Sequence, residues 1–310
     1  MFDYFQKIHI FRRFLLSYVL ILIIPLIASF IVYQISVNRI VDNATTSSEK
    51  LLKDMISAVD QKNTEIDRFI YQLHYNQEVK QLIHRNALDE NLIPYDLYQV
   101  RDSIGHYAYT NTLFSRFYIY FNHIDTIITP ETTYVRPKDF FERHTYNGMS
   151  YEEWNENINQ KYYSSYYHPA TNVTIKRNYD TGEEVVITYV KSLPLTSGHS
   201  SEANVVIMIN ENEFTSLLNP ILTQYNGSVF VYNQSGDILF SNTTTNNVAT
   251  QHESMESNLD ENDEFMHIEL TSEQNGWTYV ASISKDRLME DVNHIKTINT
   301  VAAFITIFVG

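Results

Sequence analysis

Residues 14–33, FLLSYVLILIIPLIASFIVY, run for 20 positions without a charge. As a helix this stretch reaches roughly 30 Å, the thickness of a bilayer's hydrocarbon layer. A secretory signal has a shorter apolar core, about 7–15 residues, with its small cleavage residues after it. Here the small pair Ala28-Ser29 lies inside the run. A retained membrane helix over 14–36 is therefore expected. Pro25 is tolerable there because neighbouring groups can take up the freed carbonyl. Lys7, Arg12 and Arg13 precede the run and Arg39 alone follows it closely, so the positive-inside bias places residues 1–13 in the cytoplasm. Everything after about residue 36 is then outside the cell.

The other end has the same character. Thr300–Gly310, TVAAFITIFVG, is uncharged but, at 11 residues, too short to span. It is expected to open a second membrane helix over 297–310 that is cut by the end of the sequence, with a cytoplasmic output domain beyond.

Between these ends the periodicity changes twice. Leu52, Met55, Ile56, Val59, Ile66, Phe69, Ile70 and Leu73 recur at three- and four-residue steps. That spacing predicts a long stalk helix from about Val37 to Leu73, kinked near Asn76 and resuming over Val79–Ile83. A further helix fits Asp96–Tyr109. In Phe114–Phe121 the period becomes two. Phe117, Ile119 and Phe121 share one face, while Arg116, Tyr118 and Tyr120 share the other. Ile127–Thr129 and Thr133–Val135 follow as hairpin partners. Helices are expected at Pro137–His144 and Ser150–Asn159, the latter with Ser150 and Glu153 spaced as a capping box. Strands fit Asn172–Lys176, Glu184–Leu193 and Asn204–Asn210, then a helix from Glu211 to Leu218. A smaller cycle follows: Gly227–Tyr232, a turn at 234–237, Ile238–Ser241, a polar loop over Asn242–Asn262, and Glu264–Leu270 joined to Trp277–Ile283 through Asn275-Gly276. A helix from Lys285 leads into the terminal apolar run. The order predicts an α+β chain with antiparallel sheets and helices on one side.

Composition excludes several functions. A net charge of −15 repels nucleic acid. With no cysteine there is no thiolate metal site and no cysteine nucleophile. No GxSxG, HExxH, phosphate-binding loop or dinucleotide fingerprint is present, and His106, His123 and His144 have no metal-ligand spacing. No enzyme activity, cofactor or metal is expected of these residues.

Five segments carry a family likeness: FRRFLLSYVLILIIPLI at Phe11–Ile27, FYIYF at Phe117–Phe121, VITYVKSLPL at Val186–Leu195, QSGDILFSN at Gln234–Asn242 and GWTYVASISKDRLME at Gly276–Glu290. Together with the order of elements they resemble the double Cache (PAS-like) extracellular sensor region of membrane-bound AraC-type transcription regulators of Gram-positive bacteria. The YesM-type sensor histidine kinases look similar in the same region. The resemblance implies a stalk helix and membrane-distal Cache domain over 37–218 and a membrane-proximal Cache domain over 219–296. It implies a receptor that passes ligand occupancy through its membrane helices, as a homodimer, to a DNA-binding output domain or, alternatively, to a kinase core. A more distant alternative is an adhesive or structural ectodomain. The expected external partner is a small molecule, a carbohydrate by the family's company, or a solute-binding protein; membrane lipid is the other partner, and DNA enters only through the absent domain. Cache domains that bind amino acids commonly pair Trp with Tyr beside an Arg, and this chain has no such pair.

In a PAS-like sheet one face packs on the long helix and the other lines a pocket. Arg116, Tyr118 and Tyr120 are thereby candidates to hold a ligand, the arginine by forked hydrogen bonds and the tyrosines by ring and hydroxyl. The other possibility is that they cover the sheet edge beneath a loop. Trp154 and the tyrosines 162, 163, 166 and 167 are candidates for a stacking platform or simply for core. Tyr189, on a strand with Val185 and Ile187, is a candidate for pocket or packing, and Trp277 for a structural role.

Overall fold

The computed structural model describes residues 2–84, 93–108, 116–177, 180–195, 201–242, 265–285, 297 and 301; in the first 26 residues the described side chains are those of Tyr18, Ile23 and Ile24. The expected loop 242–262, the helix after Lys285 and the terminal apolar segment lie almost wholly outside the described residues.

One helix, α1 (Phe2–Tyr75), takes up both the first apolar run and the stalk. Its 74 residues correspond to about 110 Å. Among the described residues no helix is long and apolar enough to cross a membrane, and half of the side chains of the 14–33 run fall outside them. The stripe read from the sequence is the buried one: Leu52, Met55, Val59, Ile66, Phe69, Ile70 and Leu73 are all buried. The helix stops at the expected place. The Asn76 side chain accepts from the Val79 amide and starts α2 (Gln77–Ile83). A third helix, α3 (Ile93–Ala108), follows.

The larger sheet has seven antiparallel strands in the order β3-β2-β1-β7-β6-β5-β4. They are β1 (Phe117–Phe121), β2 (Thr126–Ile128), β3 (Thr133–Tyr134), β4 (His144–Tyr146), β5 (Tyr166–Lys176), β6 (Thr181–Leu193) and β7 (Ala203–Asn210). Between β3 and β4 lies α4 (Pro137–Arg143), with Pro137 in its first turn, where the missing N–H leaves no bond unmade. After β4 the capping box forms as expected: Ser150 and Glu153 satisfy each other's backbone amides at the start of α5 (Tyr151–Trp154). A π-helical turn continues it over Asn155–Gln160.

Helix α6 (Asn212–Tyr225) runs on past Leu218, through Pro220. It packs against α1, against β7 of the larger sheet and against the smaller sheet, so the expected boundary at 218/219 falls within a helix shared by both. The smaller sheet has the order β10-β11-β8-β9, from β8 (Ser228–Tyr232), β9 (Ile238–Ser241), β10 (Phe265–Thr271) and β11 (Thr278–Ser284). Its Asn275-Gly276 turn depends on glycine: Gly276 has φ +71°, and a Cβ there would come within 2.6 Å of Gln234.

Strand alternation distributes the two cores. Phe117, Ile119 and Phe121 of β1, with Ile187, Val205, Ile207 and Ile209 of β6 and β7, face α1 and join one continuous core that runs on into the smaller sheet through Val229, Tyr279 and Ile283. Tyr118, Tyr120, Val186, Val190, Val206 and Met208 face the other way, into a second core closed by Phe140, Tyr146, Trp154 and Ile158.

Candidate functional site

The outer core does not fill its whole face. At the edge that follows Arg116 a cavity of about 560 Å³ opens between the sheet, the β2–β3 turn and α4. Tyr118, Tyr134, Phe140 and Met208 form apolar wall, and Thr129–Thr132 close one side. Its charged lining is unlike the rest of this acidic chain: Arg116, Arg143, Lys176 and Arg177 surround it, with Glu131 the carboxylate among the lining residues.

Arg116 is held from behind. Its Nη2 donates to Glu184 Oε2, and Arg177 Nη2 donates to Glu184 Oε1 at 3.0 Å. Asn210 adds a longer bond, 3.4 Å, to Oε2. Burial pushes the Glu184 carboxyl up, but Arg116, by hydrogen bond and charge, with Asn210 and Arg177, outweighs it and holds the group below the usual carboxylate range. Nη1 of Arg116 is buried and has no acceptor among the described residues. Beside it the His144 ring stacks on Phe140, centroids 4.2 Å apart. Burial lowers the His144 pKa. A backbone hydrogen bond to Phe140 opposes this, and the charges of Arg116 and Arg143 lower it further.

The six candidate residues divide. Arg116 and Tyr118 line the cavity together. Tyr120 is on the same face but is buried beyond it, its Oη donating to Asp125 Oδ1 at 2.8 Å. Trp154 is fully buried among Phe140, Phe141, Tyr146 and Tyr151, the core alternative of the two kept open for it. Tyr167 and Tyr189 lie across the sheet, against α1. Tyr167 Oη donates to Asn63 Oδ1 at 2.9 Å, and Tyr189 Oη to Asp67 Oδ1 at 3.3 Å, where Lys191 Nζ also donates at 2.7 Å. Tyr167 also meets Trp277 of the smaller sheet edge-to-face, centroids 4.8 Å apart. The expected aromatic platform is thus split: Tyr163 and Tyr166 stack on each other at 4.6 Å on the outer side, and Tyr167 points to the stalk side. The cause is the strand itself. Tyr166 and Tyr167 open β5, and neighbours in a strand face opposite ways.

Two buried asparagines were not anticipated. Tyr118 Oη donates to Asn159 Oδ1 at 3.0 Å, and Asn204 Nδ2 donates to the carbonyls of Asn159 and Lys161, the latter at 2.9 Å. Burial pushes the Tyr118 phenol well up, so it stays a neutral donor. Asn204 stands inside the strand ANVVIMIN, the polar residue among its seven buried positions, and that break in pattern was the available signal.

A second polar contact lies between α1 and the smaller sheet. Asp60 accepts from Ser272 Oγ at 3.0 and 2.9 Å and from Asn275 Nδ2 at 2.7 Å; Gln274 Nε2 donates to Thr64 Oγ1 at 2.9 Å. The β10–β11 turn is thereby tied to the stalk.

No family model matches the chain, and no curated protein matches it. Solved structures similar to it include a domain assigned to the sensory box/GGDEF family from Vibrio parahaemolyticus (9% identity, TM-score 0.47, 81% of this chain and 100% of that one). A second is the extracellular domain of vpHK1S-Z8, assigned as a histidine kinase (8%, 0.48, 83% and 99%). A third is the ligand-binding domain of the Pseudomonas fluorescens chemoreceptor CtaA in complex with L-leucine (11%, 0.47, 82% and 100%). At these identities and scores they assign no residue role and no ligand to this chain.

Proposed function

We propose that this chain is the extracellular sensing part of a membrane receptor, and that the outer-face cavity takes a small polar ligand. One observation carries the reading: the strand that enters the cavity with Arg116 and Tyr118 presses its alternate residues, Phe117, Ile119 and Phe121, into the core that holds α1. An occupant on one face therefore loads a sheet whose other face grips the stalk. A ligand shifts such an equilibrium only by its differential affinity for the two states, typically a few kcal/mol.

The anchor over 14–36, with residues 1–13 cytoplasmic and 37–297 outside, is part of this proposal. It is supported by the 20-residue uncharged run and by the exposure of Ile23, Ile24, Ile27, Phe30, Ile31, Val32 and Ile35, apolar residues that lipid would cover. As output we propose an AraC-type DNA-binding regulator or, alternatively, a two-component kinase core, and paired stalks would make the receptor a homodimer. The sensing region itself is proposed to have no enzymatic activity. A carbohydrate or a solute-binding protein is the external partner first suggested by the sequence likeness.

The test is ligand-induced thermal stabilisation of the protein against a panel of sugars, organic acids and amino acids, in parent and Arg116→Ala. A hit whose shift disappears in Arg116→Ala supports the cavity as the sensing site. A hit whose shift is unchanged removes Arg116 from it. Protection of residues 40–295 from an impermeant protease on intact cells would overturn the topology.

A further inference from the structure

We infer that the molecule taken by this cavity is a small organic dianion, carrying two carboxylates or one phosphate monoester on a short carbon frame. The inference rests on the cavity being the sensing site and narrows what that site accepts.

Charge is its first support. Four cationic side chains, Arg116, Arg143, Lys176 and Arg177, line one cavity in a chain whose net charge is −15. Against them, among the described residues, stand two carboxylates: Glu131 in the lining and Glu184 behind it, already bonded to two of the arginines. Two positive charges are left over, and the neutral state favoured for His144 adds nothing to either side. The four cations come from three separate stretches of chain: the entry to β1, the end of α4 and the end of β5 with the residue after it. No local composition bias puts them together.

Geometry is the second support. Glu184 fixes Arg116 and Arg177 by one nitrogen each, and Arg116 Nη1 is left buried with no acceptor among the described residues. A buried guanidinium nitrogen without an acceptor forfeits a charge-assisted hydrogen bond, and a carboxylate or phosphate oxygen supplies it in the favoured planar geometry. Glu184 acts as a positioning residue in this arrangement. Phe140 and Met208 offer the apolar surface for a short carbon frame between two anionic groups. A neutral sugar would leave the surplus charge unmatched, and a zwitterion would bring an ammonium to a site already rich in cations.

The experiment uses the full chain in detergent, titrated calorimetrically with succinate, glycerol phosphate, acetate and glucose. Succinate or glycerol phosphate is expected to bind at least about tenfold more tightly than acetate, the factor of one charge-assisted hydrogen bond, and to weaken with added salt. Arg143→Gln, an exposed position whose replacement leaves the core untouched, is expected to reduce that affinity about tenfold. Arg136→Gln, exposed and paired with Asp139 outside the cavity lining, is expected to leave it unchanged. Which of the two dianions binds separates dicarboxylate from phosphate ester. Dianion binding that survives both Arg143→Gln and Arg177→Gln overturns the inference. Glucose binding with neither dianion binding overturns it too, while leaving the sensing cavity in place. If none of the four probes binds, the dianion inference is overturned, and the sensing reading then stands or falls on the wider panel of sugars, organic acids and amino acids.

Discussion

The two faces of the seven-stranded sheet are built from the same strands and do opposite things. The inner face is closed: Ile119, Ile187, Val205, Ile207 and Ile209, together with Phe117, Phe121 and Tyr189, lie on the stalk side with at most 2% of their surface exposed. The outer face is aromatic and incomplete. Trp154, Tyr118, Tyr146 and Phe140 fill most of it, and the remainder is a cation-lined opening. Branched aliphatic side chains pack densely in few rotamers, which suits a grip that must not slip. Flat rings with polar tips leave a recess and hydrogen-bond its walls, which suits a surface that admits a solute.

The sharpest way to break this contrast is Trp154→Ala. As core it should destabilise the protein by about 3–5 kcal/mol, read from denaturant unfolding. A change near zero with loss of ligand response would restore the tryptophan to the binding surface. Ile119→Ala on the inner face should cost about 2–5 kcal/mol and leave succinate affinity unchanged, since the residue touches the stalk side alone. Tyr118→Phe removes the donor to buried Asn159 and should cost about 1–3 kcal/mol, with a smaller loss than either truncation because the ring stays.

Acid titration sharpens the comparison further, because the cavity and the stalk contact respond with opposite sign. Glu184 is held below its ordinary range, so it adds stability above that range, and this contribution is lost as pH falls through its folded value. Asp60 is pushed up by burial, only partly offset by Ser272, so its ionised form is disfavoured in the folded state and falling pH adds stability there. Glu184→Gln should therefore flatten the loss of melting temperature on acidification, and Asp60→Asn should steepen it. Parallel shifts in both variants would contradict the assignment. The smallest expected effect is Ser272→Ala, about 1 kcal/mol, with faster amide exchange confined to the β10–β11 turn.

Much of the fold is legible in local pattern. The three- and four-residue stripe of the stalk, the break at Asn76, the two-residue alternation of β1, the Ser150–Glu153 box and the Asn275-Gly276 turn are each decided within one or two turns of chain. Strand β4 was not anticipated: the expected helix ended on its first residue, and three residues, His144–Tyr146, are too few to show a period. Strand β5 began six residues early. Its register shifts between His168 and Thr171, around Pro169, and an irregular start hides the alternation that would have sent Tyr166 and Tyr167 to different faces.

What the sequence determined by itself was the alternation that divides β1 into two faces and the stripe that assigns one of them to the stalk, since both are properties of adjacent residues. What only the tertiary structure decided was the content of the recess. Arg143 ends a helix, Lys176 ends a strand, and Arg177 is joined to Arg116 through Glu184. Apart from the adjacency of Lys176 and Arg177, nothing along the chain relates these positions. Their common field exists because seven strands pair in one order and bring the ends of distant segments to the same edge.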